Sequence, residues 1–283
     1  MLEELPAGHF LFTSESVTEG HPDKLCDRVS DAVLDACLGQ DADSEVVCDA
    51  CTKAGMVMIL GEVVSKASVH YEQVIREAAK AVGYDSDDKG LDWRTMNVIV
   101  ALEDQGPDIA AALAGRTADR ASEAQGTVSG YASDEASDCM PLSHSLASKL
   151  CAQMDKLRND GSLSWLRPDA RAQVTLEYKD EADGAVVPMR VHSVAIQYSH
   201  SQEVKSADAE KELMDQVVKA VVPEGLRAHS CQFHFTARSR RTGSQDSGLG
   251  GRRPDADMYG GWTSGACSSL SGRDGSSLAS SSP

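Results

Sequence analysis

The sequence predicts an α+β fold in which helices pack on one face of largely antiparallel sheets. Apolar, β-branched runs of strand length are mixed with amphipathic helix patterns and do not alternate strictly with them, which argues against a doubly wound parallel sheet. The order helix, hairpin, helix also occurs in both halves of the chain. This loose echo, without a residue-level repeat, predicts two related α+β units.

The first helix follows from the stretch Phe12–Leu38, whose centre is Gly20-His21-Pro22-Asp23-Lys24. Pro22 suits a first helical turn, and Asp23, which we expect at an exposed helix start, complements the positive end of the helix dipole. Gly39 supplies a stop. Apolar residues at spacings of three and four predict one buried stripe: Leu25, Val29, Ala32, Val33, Ala36 and Cys37.

The other predicted elements follow in order. The first half gives a hairpin of strands Glu45–Thr52 and Met56–Val64, a helix Tyr71–Val82 stopped by Gly83, and a strand Asn97–Leu102. The second half gives a helix Leu142–Leu157, strands Gln173–Tyr178 and Val186–Tyr198, and a helix Asp208–Val221. Between the halves, Gly106–Tyr131 has no clear period and predicts a loop that closes over a site. From Thr236 onward Ser and Gly dominate, which predicts a poorly ordered segment without a core.

The acidic composition argues against several classes of partner. The chain has 283 residues, of which 44 are acidic and 27 basic, so its net charge of −17 argues against nucleic acid or an anionic membrane as main partner. No apolar run approaches a membrane span, and residues 1–8 lack the basic and apolar regions of a signal peptide. We therefore expect a soluble, cytoplasmic protein.

The eight cysteines have no framework spacing, so free thiols in a reducing compartment are expected. Cys48 and Cys51 form a CxxC sequence. Three residues apart on a predicted strand, their side chains point to opposite faces, which disfavours a shared metal or redox site.

The string TSESVTEGHPDK, followed by CDRVSDAVLDACL, resembles the N-terminal motif of methionine adenosyltransferases, also called S-adenosylmethionine synthetases. The resemblance runs from about Phe10 to Gly225. It then returns in fragments: Asp246-Ser247-Gly248-Leu249, Gly251-Arg252-Arg253, Asp257–Trp262 and Ser271–Asp274.

The resemblance implies an architecture of repeated α+β domains. Family members have three such domains and dimerise with active sites between subunits. By analogy, residues 10–110 form the N-terminal domain, residues 120–235 the central domain, and residues 236–283 a poorly ordered remnant of the third. A homodimer or homotetramer is implied.

The family reaction joins ATP to L-methionine, with Mg²⁺ and K⁺ as cofactors. The sulfur attacks the ribose C5′, and the leaving triphosphate is hydrolysed to phosphate and pyrophosphate. Such chemistry needs charge stabilisation on the leaving chain more than a protein nucleophile. The resemblance thus implies a transferase of S-adenosylmethionine biosynthesis.

Site residues are carried over from the resemblance position by position. His21 matches a catalytic, ATP-contacting histidine, Asp23 a magnesium ligand, and Asp49 a glutamate that binds potassium. Glu62 and Gln105 match groups that contact methionine. The alternatives are a helix-cap histidine for His21, a solvent-facing strand residue for Glu62 and an exposed loop amide for Gln105.

A second set is expected at ATP. It comprises Asp169, Arg171 in place of a lysine, Asp246, Arg252 and Arg253. Spacing alone also allows Arg171 to be an exposed basic residue at a strand start.

Three departures from the family pattern concern charge. Ala124 replaces a substrate-facing aspartate, and Ser277 and Ala279 stand near the expected positions of a lysine and a second metal-binding aspartate. Phe235–Gly243 also departs from a glycine-rich ATP segment, with its apolar strand lost. Three alternatives to an active methionine adenosyltransferase therefore stay open. The chain could be a catalytically impaired paralogue that acts as a regulatory or interaction subunit, a product of a faulty gene model, or an acidic scaffold.

Overall fold

The computed structural model describes residues 5–53, 55–103, 132–182, 184–228, 230–238 and 247–251. Its strands are β1 (His9–Val17), β2 (Glu45–Lys53), β3 (Met56–Val64), β4 (Asp85–Ser86), β5 (Leu91–Asp92), β6 (Asn97–Glu103), β7 (Leu166–Asp180), β8 (Val186–His200), β9 (Gln232–Arg238) and β10 (Gly248–Leu249). Its α-helices are α1 (Pro22–Leu38), α2 (Tyr71–Val82), α3 (Leu142–Asn159), α4 (Ser206–Leu213) and α5 (Lys219–Val221). None of the helices in these ranges is long and apolar enough to cross a membrane.

The described residues fall into two compact units with the same sheet topology. One unit has a four-stranded sheet of order β10-β2-β3-β6, and the other has a sheet of order β1-β7-β8-β9. In each, an edge strand pairs antiparallel with a hairpin, and a helical crossover then adds a parallel strand. The repeated topology confirms the predicted α+β class and the echo between the two halves.

The first unit is built around α1. Four residues of the predicted stripe, Leu25, Val29, Val33 and Cys37, are buried against β2 and β3, whereas Ala32 and Ala36 are partly exposed. The helix α2 and Tyr84 complete the same core. Gly83 ends α2 in the left-handed conformation, as a glycine stop predicts. Gly39 follows α1 with an ordinary right-handed φ of −64°, so the helix ends there without a left-handed residue.

The second unit packs α3 and the α4–α5 region on one face of its sheet. Residues Met214–Val218 form a π-helical turn between α4 and α5, where the sequence predicts one regular helix. β1 was not predicted, although Phe10 and Phe12, two residues apart, lie on the same face of this strand. Further along β1, Ser14 faces the sheet's core side and its hydroxyl meets that of Ser143 on α3 at 2.8 Å.

The largest differences from the predicted boundaries are at β7 and after Thr236. β7 starts at Leu166, well before the predicted Gln173, although Pro168 is a poor strand residue; the register with β8 is irregular between Leu166 and Ala170. Thr236–Arg238 continue β9, because Phe233 and Phe235 pack on the core. Gly248–Leu249 form β10. Apart from 236–238 and 247–251, residues 236–283 lie outside the described residues, and the predicted domain limits stay a prediction.

A buried carboxylate joins three strands on the open face of the second sheet. Glu177 of β7 is 5 % exposed, and its two oxygens accept hydrogen bonds from His9 Nδ1 and Arg190 Nε, each at 2.6 Å. Burial raises the pKa of Glu177, but the hydrogen bonds from His9 and Arg190 and the charge of Arg190 outweigh it, so the pKa lies below its usual range.

This lowered pKa predicts a stability change in acid. An unfolded glutamate titrates at about 4.3. The contribution of Glu177 to stability is therefore complete above that pH and is lost as pH falls through the lower pKa of the folded state. In urea unfolding between about pH 5 and pH 3, Glu177→Gln should show a shallower loss of stability than the wild type. Glu181→Gln, at a half-exposed carboxylate paired with Lys179, is the control; equal slopes for all three proteins would contradict the prediction.

Candidate functional site

The N-terminal turn of α1 brings together His21 and Asp23. His21 is the N-cap, with extended φ and ψ of −62° and 138°, and its Nδ1 accepts a hydrogen bond from the Asp23 N–H at 3.3 Å. The hydroxyl of Tyr84 donates a hydrogen bond to the carbonyl of Gly20, which fixes the backbone directly before the N-cap. Because Nδ1 is an acceptor, the neutral imidazole carries its proton on Nε2.

Asp23 lies in a more enclosed position than its place at a helix start suggests. Its residue is 7 % exposed, Oδ1 accepts from the Leu249 N–H at 3.0 Å, and Oδ2 lies 4.0 Å from His21 Nδ1. The expectation of an exposed carboxylate here was wrong, because residues 247–251 lie over the turn. The dipole of the helix N-terminus favours a negative charge at this position.

Asp49 and Glu62 lie on another surface of the same unit. Alternation along β2 and β3 places them on the sheet face opposite the one that α1 and α2 cover, and both are half-buried. Asp49 pairs with Leu60, and Glu62 pairs with Val47. The sheet therefore separates these two carboxylates from the face on which α1 packs.

The second unit holds Asp169 and Arg171 inside β7, whereas the sequence placed them in a segment ahead of the strand. Asp169 is 3 % exposed, and its Oδ2 lies 3.6 Å from Nη1 of Arg238. Arg171 is half-buried in a row with Val17, Gln197 and, on β9, Thr236. The pairing of Asp169 with Arg238 was not predicted, since the strand that carries Arg238 was itself missed.

Thr18 fixes the backbone on both sides of Asp169. Its hydroxyl contacts the carbonyls of Pro168 at 2.6 Å and Ala170 at 3.0 Å, and it accepts from the Ala170 N–H at 2.8 Å. The Thr18 N–H also donates to the Ala170 carbonyl. No pattern in the sequence indicates that Thr18, a buried residue directly after β1, has this role.

Gln105, Asp246, Arg252 and Arg253 lie outside the described residues, as do Ala124, Ser277, Ala279 and the predicted loop Gly106–Tyr131. Among the side chains that the structure describes, no group of three or more His, Cys, Asp or Glu lies close enough to hold a metal ion. A single carboxylate with an adjacent phosphate chain is nevertheless a common magnesium site.

The CxxC sequence does not form a joint site. Cys48 lies in the core, whereas Cys51 is half-buried on the other face of β2, as the strand period predicts. Burial, followed by the nearby charge of Asp49, raises the pKa of the Cys48 thiol to about 12. A thiol with such a pKa is neutral at physiological pH and is a poor ligand or nucleophile.

Sequence comparison assigns both units to one family. Residues 9–107 match the S-adenosylmethionine synthetase N-terminal domain, and residues 119–240 match the S-adenosylmethionine synthetase central domain. The two matches together span well over half of the chain. The chain therefore belongs to the S-adenosylmethionine synthetase family.

Proposed function

We propose that this chain is a methionine adenosyltransferase that forms S-adenosylmethionine from ATP and L-methionine and releases phosphate and pyrophosphate. The observation that supports this most directly is the turn in which His21 and Asp23 meet at the start of α1. The matches to two domains of the family give the turn its chemical context. A cytoplasmic location is part of the proposal.

His21 and Asp23 have complementary roles in this proposal. The protonated Nε2 of His21 donates to an oxygen of the leaving triphosphate, while Nδ1 remains engaged by the Asp23 N–H. Asp23 supplies a carboxylate oxygen, the ligand type that Mg²⁺ prefers, and the helix N-terminus favours anionic phosphate nearby. When bound, Mg²⁺ neutralises charge on the leaving phosphates.

The other expected residues bind and orient the substrates and K⁺. Asp49 offers a carboxylate oxygen for K⁺, and Glu62 and Gln105 bind methionine. The proposed ATP ligands are Asp169, Arg171, Asp246, Arg252 and Arg253. Asp169 is buried beside Arg238, which restricts the orientation of the carboxylate that we propose as an ATP ligand.

A second copy of this chain is the proposed partner. The open face of the β2–β3–β6 sheet carries four large apolar side chains that are roughly 40 % exposed: Val47, Leu60, Val64 and Ile99. Exposed apolar side chains that share one sheet face favour burial by association. Asp49 and Glu62 lie on this same face, so self-association would bring a partner to the proposed methionine and potassium ligands. We therefore propose a homodimer, or a homotetramer built from it.

A regulatory or interaction subunit is the second candidate. Ala124, Ser277 and Ala279 stand where the resemblance implies charged groups, and the apolar sheet face suits association with an intact family member. Loss of one charge-stabilising group can lower a rate by about a hundredfold or more. Loss of several charge-stabilising groups together favours a role in binding a partner protein over a role in catalysis.

Product analysis separates the two candidates. The chain as written, given ATP, methionine, Mg²⁺ and K⁺, should form S-adenosylmethionine, phosphate and pyrophosphate in equal amounts. All three products should be followed in parallel, with omission of Mg²⁺ as the control. Well-folded protein without product would contradict the leading proposal. Formation of a complex with an added intact family member would then support the interaction subunit.

Asp23→Asn should lower magnesium-dependent turnover by at least about a hundredfold, because the amide removes the charge at the proposed metal ligand. The fold should survive, since the amide oxygen can still accept the Leu249 N–H. Turnover and thermal midpoint should both be measured. Asp31→Asn, at an exposed position of the same helix, is the control. Unchanged turnover in Asp23→Asn would remove this residue from the mechanism.

His21→Asn tests whether the histidine is more than a helix cap. Asparagine is among the best N-cap residues, so helix stability should change little. Turnover should nevertheless fall by about a hundredfold or more through loss of the imidazole. His70→Asn alters the exposed N-cap of α2, whose side chain makes no capping hydrogen bond, and should leave turnover unchanged. Equal activity of the wild type and His21→Asn would leave only the capping role.

A further inference from the structure

Residues 247–251 lie along the N-terminal turn of α1 and contact it through their main chain. The Leu249 N–H donates to Asp23 Oδ1 at 3.0 Å, and the Gly251 N–H donates to Asp27 Oδ1 at 2.7 Å. Between them, the Gly250 N–H donates to the Ala50 carbonyl of β2 at 2.9 Å. The segment is thus tied to the helix at two carboxylates and to the sheet at one carbonyl.

The segment approaches the helix too closely for a side chain at Gly248. A Cβ atom built there would lie 2.4 Å from the Pro22 carbonyl oxygen and 2.5 Å from its carbon. The φ of Gly248 is not in the left-handed region, so the requirement is for space and not for an unusual backbone. Glycine at this position therefore allows the Leu249 N–H to reach Asp23.

We propose that residues 247–251 are a positioning segment that sets the orientation of the Asp23 carboxylate. The Leu249 N–H holds one oxygen, while the Gly251 N–H on Asp27 holds the segment one turn further along the helix. The inference rests on the proposed function, in which Asp23 binds magnesium with the nucleotide. Hydrogen bonds from surrounding groups orient ligating carboxylates, and losing one typically lowers metal affinity or activity by about 10–100-fold.

Main-chain donors suit this task. An N–H···carboxylate bond is charge-assisted and stronger than a neutral hydrogen bond. The donor adds no positive charge, so it orients Asp23 without competing as a cation. The neighbouring bond from Gly250 to β2 fixes the segment to the sheet edge, which limits the freedom of the Leu249 N–H.

Two substitutions at one residue test the proposal. Leu249→Pro removes the N–H that Asp23 accepts, whereas Leu249→Ala keeps it and shortens a side chain that is 40 % exposed. Calorimetric titration with adenylyl imidodiphosphate, with Mg²⁺ or with a chelator, isolates the magnesium-dependent part of binding. That part should weaken about 10–100-fold in Leu249→Pro. In Leu249→Ala it should stay within about twofold of the wild type.

Amide hydrogen exchange in the nucleotide-free protein provides a readout that does not depend on magnesium. The Leu249 amide should be protected in the wild type and lose protection in Asp23→Ala, while the Gly250 amide, bound to Ala50, stays protected in both. Equal Leu249 exchange in both proteins would overturn the proposal, as would wild-type magnesium-dependent binding by Leu249→Pro. If the wild type binds no nucleotide, the proposed function fails and the exchange pattern alone decides the positioning role.

Discussion

Burial of one face of α1 is the constraint on which the first unit depends. Leu25, Val29, Val33 and Cys37 are fully buried against β2 and β3, and burying each large aliphatic side chain contributes roughly 1.5–3 kcal/mol. A helix held along its whole length in this way has a fixed first turn. His21 and Asp23 are attached to that turn, so their geometry follows from hydrophobic packing several residues away. The core thereby determines where a polar site can form.

Elements with a strong local pattern could be predicted from the sequence. The bounds of β3 and α2 agree with the prediction residue for residue, because a β-branched run and a helix with a glycine stop are determined by neighbouring residues. β1 and the start of β7 could not be predicted in this way. In β1 the core side changes from Phe12 to the small, polar Ser14, whose hydroxyl meets that of Ser143. Tertiary contacts, and not local propensity, determine these strands.

The candidate site was predictable to a different degree at each position. The proximity of His21 to Asp23 follows from a helix start, since a cap and the second residue after it are always neighbours. The burial of Asp23 could not be predicted, because the covering residues lie more than two hundred positions later and act through their N–H groups. The contact between Asp169 and Arg238 likewise could not be predicted, because it depends on β9, a strand that the local composition does not indicate.

Main-chain contacts of this kind impose little on side-chain identity. The Leu249 and Gly251 N–H groups are available from almost any residue, whereas Gly248 is required by the space beside Pro22. A chain can therefore diverge widely around such a segment and still cover the helix start, provided that the glycine is retained. Buried carboxylates, by contrast, must find donors, since an unsatisfied one would be strongly destabilising. The buried Asp23 thus selects for a nearby main chain more than for particular side chains. This explains how the fragment around Gly248 stays docked within a part of the sequence where the resemblance to the family is otherwise broken.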